Sequence, residues 1–281
     1  MTRVEYANKV KEIVESVSAK KVEIKEIQKD NIMMLGLIVK EIGSNIAPTF
    51  YVDNFIDKPV EEMADFILNF RNMEVRDSDM EDINNIITSR KEILNRVTFK
   101  VLNKERNKNI SSVYKDLGNG LIAKLYIDID DITDGAKIAI TQEMLNNNDL
   151  TVNEVFEQAK GNITKDLKVK NLGRQFAEMM GMPIELFDMN TLPAYIITNN
   201  KMNCGASAVY SYGLYNQIKV LIGDFLLLPS SIHEFIAVPK DDYETYKSMV
   251  MEVNSTVVAD DEFLSDDIFE LKDDDLIIAT I

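Results

Sequence analysis

The sequence predicts an α+β fold in which antiparallel hairpins pack against helices, arranged in two lobes. Three observations carry this expectation. Apolar residues recur with a period near 3.6 in some stretches and near two in others. The period-two stretches come as neighbours joined by short polar turns, whereas a βαβ array would alternate them with helices. The chain has 281 residues, 46% of them hydrophobic, which is enough for one large core or two smaller ones. The polar run "NKERNKNISS" supplies a boundary, giving an N-terminal α+β lobe over 1–110 and a C-terminal α+β lobe over 111–281.

The elements follow in order. Val4, Ala7, Val10, Val14 and Val17 recur at helical spacing, so the chain opens with an amphipathic helix. "KVEIKEI" alternates like a strand, and "IMMLGLIVKEI", the turn "GSN" and "IAPTFYVDNFI" read as a hairpin with Pro48 at an edge. A helix over 59–71 starts at Pro59 and turns Val60, Met63, Ala64, Ile67 and Phe70 to one face. Ser78 and Glu81 have capping-box spacing and begin a helix running to about residue 94. "RVTFKVL" is a strand with Val97, Phe99 and Val101 on one side. "NGLIAKLYIDID" and "AKIAIT" form a strand pair, and Thr151 with Glu154 caps a helix reaching about Lys160. A helix near 171–181, strand "AYIIT", helix 205–222, strands "DFLLL" and "HEFIAV", helix 242–254 and strand "DLIIATI" complete the chain.

Composition removes several functions. A net charge of −16 argues against a direct nucleic-acid binder, which needs a basic footprint. The single cysteine, Cys204, forbids an internal disulfide or a cysteine metal cluster. Charges interrupt "MTRVEYANKVKEIVESV" too often for a signal peptide, and no run approaches the ~18 apolar residues of a membrane span. A cytoplasmic protein is expected. No phosphate loop or dinucleotide fingerprint is present, and no cofactor or metal is expected.

One stretch resembles catalytic chemistry. "LLLPSSIHEFIAVP" (226–239) carries the chain's one histidine, His233, among Ser230, Ser231 and Glu234. A serine hydrolase needs the imidazole within hydrogen-bond reach of its nucleophile. On an extended strand Ser231 and His233 are roughly 6.6 Å apart, so a direct pair does not form, and Glu234 points to the opposite face. A hairpin whose serines cap turn amides accounts for the pattern more simply. "HEFIA" begins a zincin signature, but Ala237 stands where the second histidine belongs. "DIDDITDG" resembles a calcium loop in Asp130, Asp134 and Gly135, yet Ile132 and Thr141 occupy two ligand positions, so a solvated acidic turn is expected. Arg90, Lys91, Arg96, Lys100, Lys104, Arg106 and Lys108 make a basic cluster, read as solvated surface.

The most distinctive feature is the acidic segment 259–275, "ADDEFLSDDIFELKDDD". Its nine acids and one lysine carry half of the net charge. Such a run offers a docking strip for a basic protein through Asp260, Asp261, Glu262, Asp266, Asp267, Asp273, Asp274 and Asp275. Phe263, Leu264, Ile268, Phe269 and Leu271 are interleaved with the acids. The segment is therefore expected to lay its apolar residues on the body and show its acids to solvent.

"GLIVKEIGSNIAPTFYVDNF", "ILNRVTFKVLNKERNKN" and "ITNNKMNCGASAVYS…DFLLLPSSIHEFIAVP…VNSTVVADDEFLSDDIFEL" resemble the bacterial family known as domain of unknown function 5688. The block that carries the likeness contains Thr198, Asn199, Gly205, Ala206, Leu228, Pro229, Ser230, Ser231, Ile232, His233 and Glu234. The resemblance implies an accessory protein of bacteria or their mobile elements, with an interaction or anti-defence role. Together these readings predict an acidic protein-binding module. In its concrete form it is a mobile-element or phage inhibitor covering a basic surface of a nucleic-acid-handling defence enzyme. The alternative is a hydrolase built on Ser230, Ser231, His233 and Glu234.

Overall fold

The computed structural model describes residues 1–41, 47–70, 77–183, 193–272 and 275–280. The fold is α+β, with three sheets whose described strand pairs are all antiparallel. Contacts divide the chain into two compact units, Met1–Met80 and Glu81–Ile281. The run expected to hold a boundary near 110 lies inside the second unit instead. It connects two strands that flank a common partner in one sheet, so a cut there would sever that sheet.

In the first unit, α1 (Arg3–Val17) begins at Thr2, whose hydroxyl accepts from the Glu5 amide at 3.2 Å while the Glu5 carboxylate accepts from the Thr2 amide at 2.8 Å. This reciprocal box satisfies two of the donors that a helix start leaves open. Tyr6, Ala7, Val10 and Val14 are buried, while Val4 and Val17 near the helix ends remain exposed. Strands β1 (Lys21–Gln28), β2 (Met33–Lys40) and β3 (Thr49–Tyr51) form the sheet in that order. The expected third strand is shorter than predicted, because Val52–Asn54 turns into a 3-10 helix and the Asp53 carboxylate accepts from the Leu35 amide at 2.9 Å. The predicted "GSN" turn lies outside the described residues. Helix α2 (Val60–Asn69) starts after Pro59 and buries Val60, Met63, Ala64 and Ile67 in the same core as α1.

Helix α3 (Asp77–Ile87) does not run on to residue 94. The Thr88 hydroxyl turns back onto the Asn84 carbonyl at 2.7 Å, and Ser89 caps a new helix, α4 (Arg90–Arg96), by accepting from the Glu92 amide. Ser78, expected as a cap, lies within the first turn of α3.

The second unit contains two sheets. Strands β4 (Val97–Asn103), β5 (Tyr114–Gly118), β6 (Leu121–Asp128) and β7 (Lys137–Ala139) form one, with β6 pairing to each of the others. After α5 (Gln142–Asn147), Thr151 caps α6 (Val152–Thr164), as its sequence signal indicates. The Asn162 amide on α6 donates to the carbonyls of Leu94 and Val97 and so ties α6 to the junction of α4 and β4. Strand β8 (Leu167–Asn171) and helix α7 (Leu172–Met180) follow, and α7 ends at Gly181 in the left-handed region, φ 63°. Strands β9 (Tyr195–Asn199), β10 (Phe225–Ser231), β11 (Glu234–Pro239), β12 (Phe269–Lys272) and β13 (Asp275–Ile278) complete a six-stranded sheet in the order β13-β12-β10-β11-β9-β8.

The helix expected over 205–222 is two pieces, a 3-10 turn Gly205–Tyr210 and α8 (Leu214–Ile222). Gly213 separates them at φ 76°, a conformation glycine adopts without steric cost. Along β10, Phe225 and Leu227 enter the main core of the unit. Leu226 and Leu228 enter a smaller cluster with Val250 of α9 (Tyr243–Thr256). The two-residue alternation thus serves two cores at once. In the main core Phe99 is 1% exposed, and its ring centroid lies 5.1 Å from that of Phe156 and 6.0 Å from that of Tyr210. Phe99→Ala should cost about 3–5 kcal/mol of unfolding free energy, measurable by urea titration; a loss below about 1 kcal/mol would mean that the ring is not a core element.

Candidate functional site

Strands β10 and β11 join through the two-residue turn Ile232–His233. The Ser231 hydroxyl accepts from the His233 amide at 3.0 Å, which is the turn-capping role its position suggests. The Ser230 hydroxyl donates to Glu234 Oε1 at 3.3 Å. Both serines are therefore engaged within the hairpin, and neither forms a hydrogen bond with the imidazole.

The imidazole reaches away from the hairpin. Its Nδ1 accepts from the Cys204 backbone amide at 2.9 Å, so the ring proton resides on Nε2, which donates to Glu262 Oε1 at 3.2 Å. One side chain thus joins the turn, the loop after β9 and the acidic segment. Backbone bonds run alongside it. The Ala206 amide donates to the Ile232 carbonyl at 3.1 Å, and the Ile232 amide donates to the Glu262 carbonyl at 2.9 Å. Thr198, fully buried, donates its hydroxyl to the His233 carbonyl at 2.8 Å.

Gly205 is required where these strands of chain meet. A Cβ there would stand 2.3 Å from Thr198 Oγ1, 2.6 Å from the Asn199 amide and 2.9 Å from the His233 carbonyl. The clamp also holds backbone in costly conformations, with Met202 at φ 51° and Cys204 at φ 49°. Asn199 assists by donating to the Asn203 carbonyl and accepting from the Asn203 amide, at 2.8 and 3.2 Å.

The loop so held forms one wall of a cleft of about 400 Å³ in the second unit. Asn199, Cys204 and Ser207 line that wall, and the β6–β7 connection lines another with Asp128, Asp130 and Asp131. This connection is the stretch that resembled a calcium loop. Its carboxylates serve the protein itself: Asp128 Oδ1 accepts from the Asp130 amide at 3.0 Å, and Asp130 Oδ1 accepts from the Gly135 amide and from Lys201 Nζ, both at 2.6 Å. Among the described residues, no group of three His, Cys, Asp or Glu side chains is placed to hold a metal ion. The Lys201 ammonium, hydrogen-bonded to Asp130, holds that carboxyl below its ordinary value, with the Gly135 amide adding to the effect. The Arg96 fork, on both oxygens of Asp131 at 2.6 and 3.0 Å, does the same there.

Much of the basic cluster is paired with acids of the same unit. Arg90 pairs with Glu154, Lys104 with Asp116 at 2.5 Å, Arg106 with Asp260 at 3.0 Å and Lys108 with Glu105 at 2.5 Å. The acidic segment is laid along the second unit in the expected manner, with Leu264, Ile268, Phe269 and Leu271 buried and β12 joining the sheet. The Asn103 amide fastens it by donating to the Leu264 carbonyl at 3.0 Å. Of its acids, Asp260 meets Arg106, Glu262 meets His233, Asp266 accepts from the Asn254 amide at 2.9 Å and Asp267 meets Lys247 at 3.0 Å. The Asp260 side chain nevertheless stays 87% exposed. Asp261 and Asp275 lie on the surface, and Asp273 and Asp274 fall outside the described residues.

Sequence reasoning did not identify Glu262 as the partner of the histidine, Lys201 as the partner of Asp130, or Asp166 and Ser207 at the cleft. No local pattern announces these contacts, since His233 and Glu262 are separated by 29 positions and Lys201 and Asp130 by more. Among the described residues, no helix is long and apolar enough to cross a membrane. A family model described as a family of unknown function matches residues 3–272 of the 281. No curated protein and no solved structure matches the chain.

Two outcomes follow from this geometry. His233→Ala removes the acceptor of the Cys204 amide and the partner of Glu262, and should lower stability by about 1–3 kcal/mol in chemical denaturation; an unchanged midpoint would show that the clamp carries no load. The second outcome concerns acid. Carboxyls with depressed folded-state values contribute stability above the unfolded value and lose it as pH falls through the folded value. Thermal stability should therefore decline as pH drops below 3.8, the ordinary aspartate value, and Asp131→Asn should flatten that decline. A melting series from neutral to acid pH on both proteins checks it.

Proposed function

The chain belongs to the family of unknown function DUF5688, and we propose that it acts by binding a basic protein surface through its acidic segment. The observation that carries this reading is the segment's construction. Its apolar residues are buried and its backbone is fastened to the second unit, so the carboxylates of Asp260, Asp261, Asp267 and Asp275 are held in place before a partner arrives. Ordering charges in advance reduces the entropy lost on association. The net charge of −16 adds long-range attraction toward a cationic surface and raises the encounter rate.

In its specific form the partner is a nucleic-acid-handling enzyme, whose basic groove offers the complementary field, and the chain inhibits it by covering that groove. A mobile-element or phage protein directed against a host defence enzyme would have this chemistry. The hydrolase alternative has less support. Both ring nitrogens of His233 face partners other than Ser230 and Ser231, and Glu234 engages Ser230.

The test compares the full chain with the quadruple variant Asp260→Asn, Asp261→Asn, Asp267→Asn, Asp275→Asn as bait in bacterial lysate, at low and high salt. A basic nucleic-acid-binding protein should be retained at low salt and released near 1 M, where the screening length falls to about 3 Å. The variant should bind the purified partner at least about fourfold more weakly, since four rim charges at roughly 0.2–1 kcal/mol each are removed. Equal recovery by both proteins at both salts would overturn the reading.

A further inference from the structure

We infer that an open aromatic pocket in the first unit, on the exposed face of α2, binds a small quaternary ammonium compound. Helix α2 turns Val60, Met63, Ala64 and Ile67 into the core. Its other side carries Glu62, Asp65, Phe66 and Asn69, spaced three and four positions apart, so they form one stripe. That stripe, with Phe55 from the turn before α2 and Phe70 at its end, lines a pocket of about 620 Å³. The size falls within the range of small-ligand sites. Phe66 is 48% exposed, and it is no scattered surface residue, because its ring stands against three others.

The rings are held before any ligand arrives. The Phe66 centroid lies 5.4 Å from that of Phe55, at an interplanar angle of 43°, and 6.3 Å from that of Phe70, at 49°. Phe50, buried on β3, backs two of them edge-on, 5.9 Å from Phe66 at 88° and 5.0 Å from Phe70 at 86°. Such ordering lowers the entropy lost on binding. Rings inclined to one another in this way do not stack, so π surface is left open at the pocket. The chain itself shows what this surface attracts. Lys58 Nζ lies 5.3 Å from the centroid of Phe55, within the roughly 6 Å over which a ring face attracts a cation.

Charge selects the class of ligand. Lys58 Nζ also donates to Glu62 Oε1 at 2.6 Å, so these two charges of the lining cancel. Asp65 remains. The Asn69 amide donates to its backbone carbonyl at 2.8 Å, and among the described residues no cation pairs with its carboxylate. The pocket therefore joins apolar rings to one net negative charge. An anion is repelled by that charge, and among the described residues no group of three carboxylates is placed to hold a metal ion. A primary ammonium brings three N–H donors, which phenylalanine rings cannot accept; Lys58 itself reaches Glu62 to satisfy its own. A quaternary ammonium spreads its charge over methyl groups and has no donor to satisfy, so aromatic walls with a carboxylate nearby complement it. The inference rests on the first unit alone and is independent of the acidic segment.

The test follows the isotope-labelled phenylalanine rings of the full chain by NMR. One titration uses choline. The other uses dimethylbutanol, its neutral isostere, in which a tert-butyl group replaces the trimethylammonium. Choline should shift the ring signals of Phe55, Phe66 and Phe70 and saturate in the millimolar range, whereas the isostere should bind about fivefold more weakly. Phe66→Leu keeps apolar bulk and removes a π face, and should weaken choline binding about fivefold with the fold intact by circular dichroism. Should that variant fail to fold, Asp65→Asn reads the same pocket from an exposed position. It should weaken choline binding about twofold to threefold and leave the isostere unaffected. Equal affinity for choline and its isostere, choline binding untouched by the substitutions, or no ring shift at tens of millimolar choline would overturn the inference.

Discussion

The imidazole of His233 stands where three stretches of chain meet, and the geometry around the cleft depends on it. As an acceptor at Nδ1 it satisfies the amide of Cys204, a residue in a left-handed conformation that few side chains adopt unaided. As a donor at Nε2 it holds Glu262 and with it the start of the acidic segment. A neutral imidazole is the one ring side chain that offers both functions at opposite edges. Thr198 and Gly205 complete the junction, one by anchoring the carbonyl of the same histidine, the other by leaving room for it. Of the residues that resemble a catalytic set in sequence, His233 joins the turn to the cleft wall and the acidic segment, while Ser230 and Glu234 bond to each other within the hairpin.

A second constraint is charge. A chain at −16 has to order its acids without mutual repulsion, and it does so by giving most cations a local carboxylate partner. Exposed pairs of this kind contribute little stability individually. Their effect lies in what remains. With much of the basic cluster paired to nearby acids, half of the net negative charge falls on the acidic segment, where Asp260 and Asp267 are themselves paired. That segment is an open surface with many carboxylates, suited to long-range attraction.

Helix starts were legible where the cap lies next to the helix it caps. Thr151 with Glu154 and Pro59 before α2 are examples, as is the left-handed stop at Gly181. The helices that broke were misread for a local reason that propensity scales underweight. Ser89 competes with Ser78 for the role of cap, and Gly213 permits a reversal that periodicity alone does not reveal. The short strand β8 was missed because all five of its residues are half-buried at a sheet edge, which leaves no alternation to detect. The boundary near 110 failed because polar composition marks a loop without saying whether its flanking strands share a sheet.

The amino-acid sequence by itself determined the class of the fold, the alternation of β10 and β11, the apolar anchoring of the acidic segment and the excess of negative charge. Each of these is a property of neighbouring residues, governed by backbone period and solvent transfer. Only the tertiary structure decided that His233 bonds to Cys204 and Glu262, that Asp130 is neutralised by Lys201, and that Asp166 and Ser207 share a cleft. Those pairings join residues separated by 29 or more positions, and they exist only because burying two apolar sheets in one core brings distant loops to the same end of the unit. Hydrogen bonds and charges then select partners from what packing has placed within about 3 Å, a choice that no local pattern encodes.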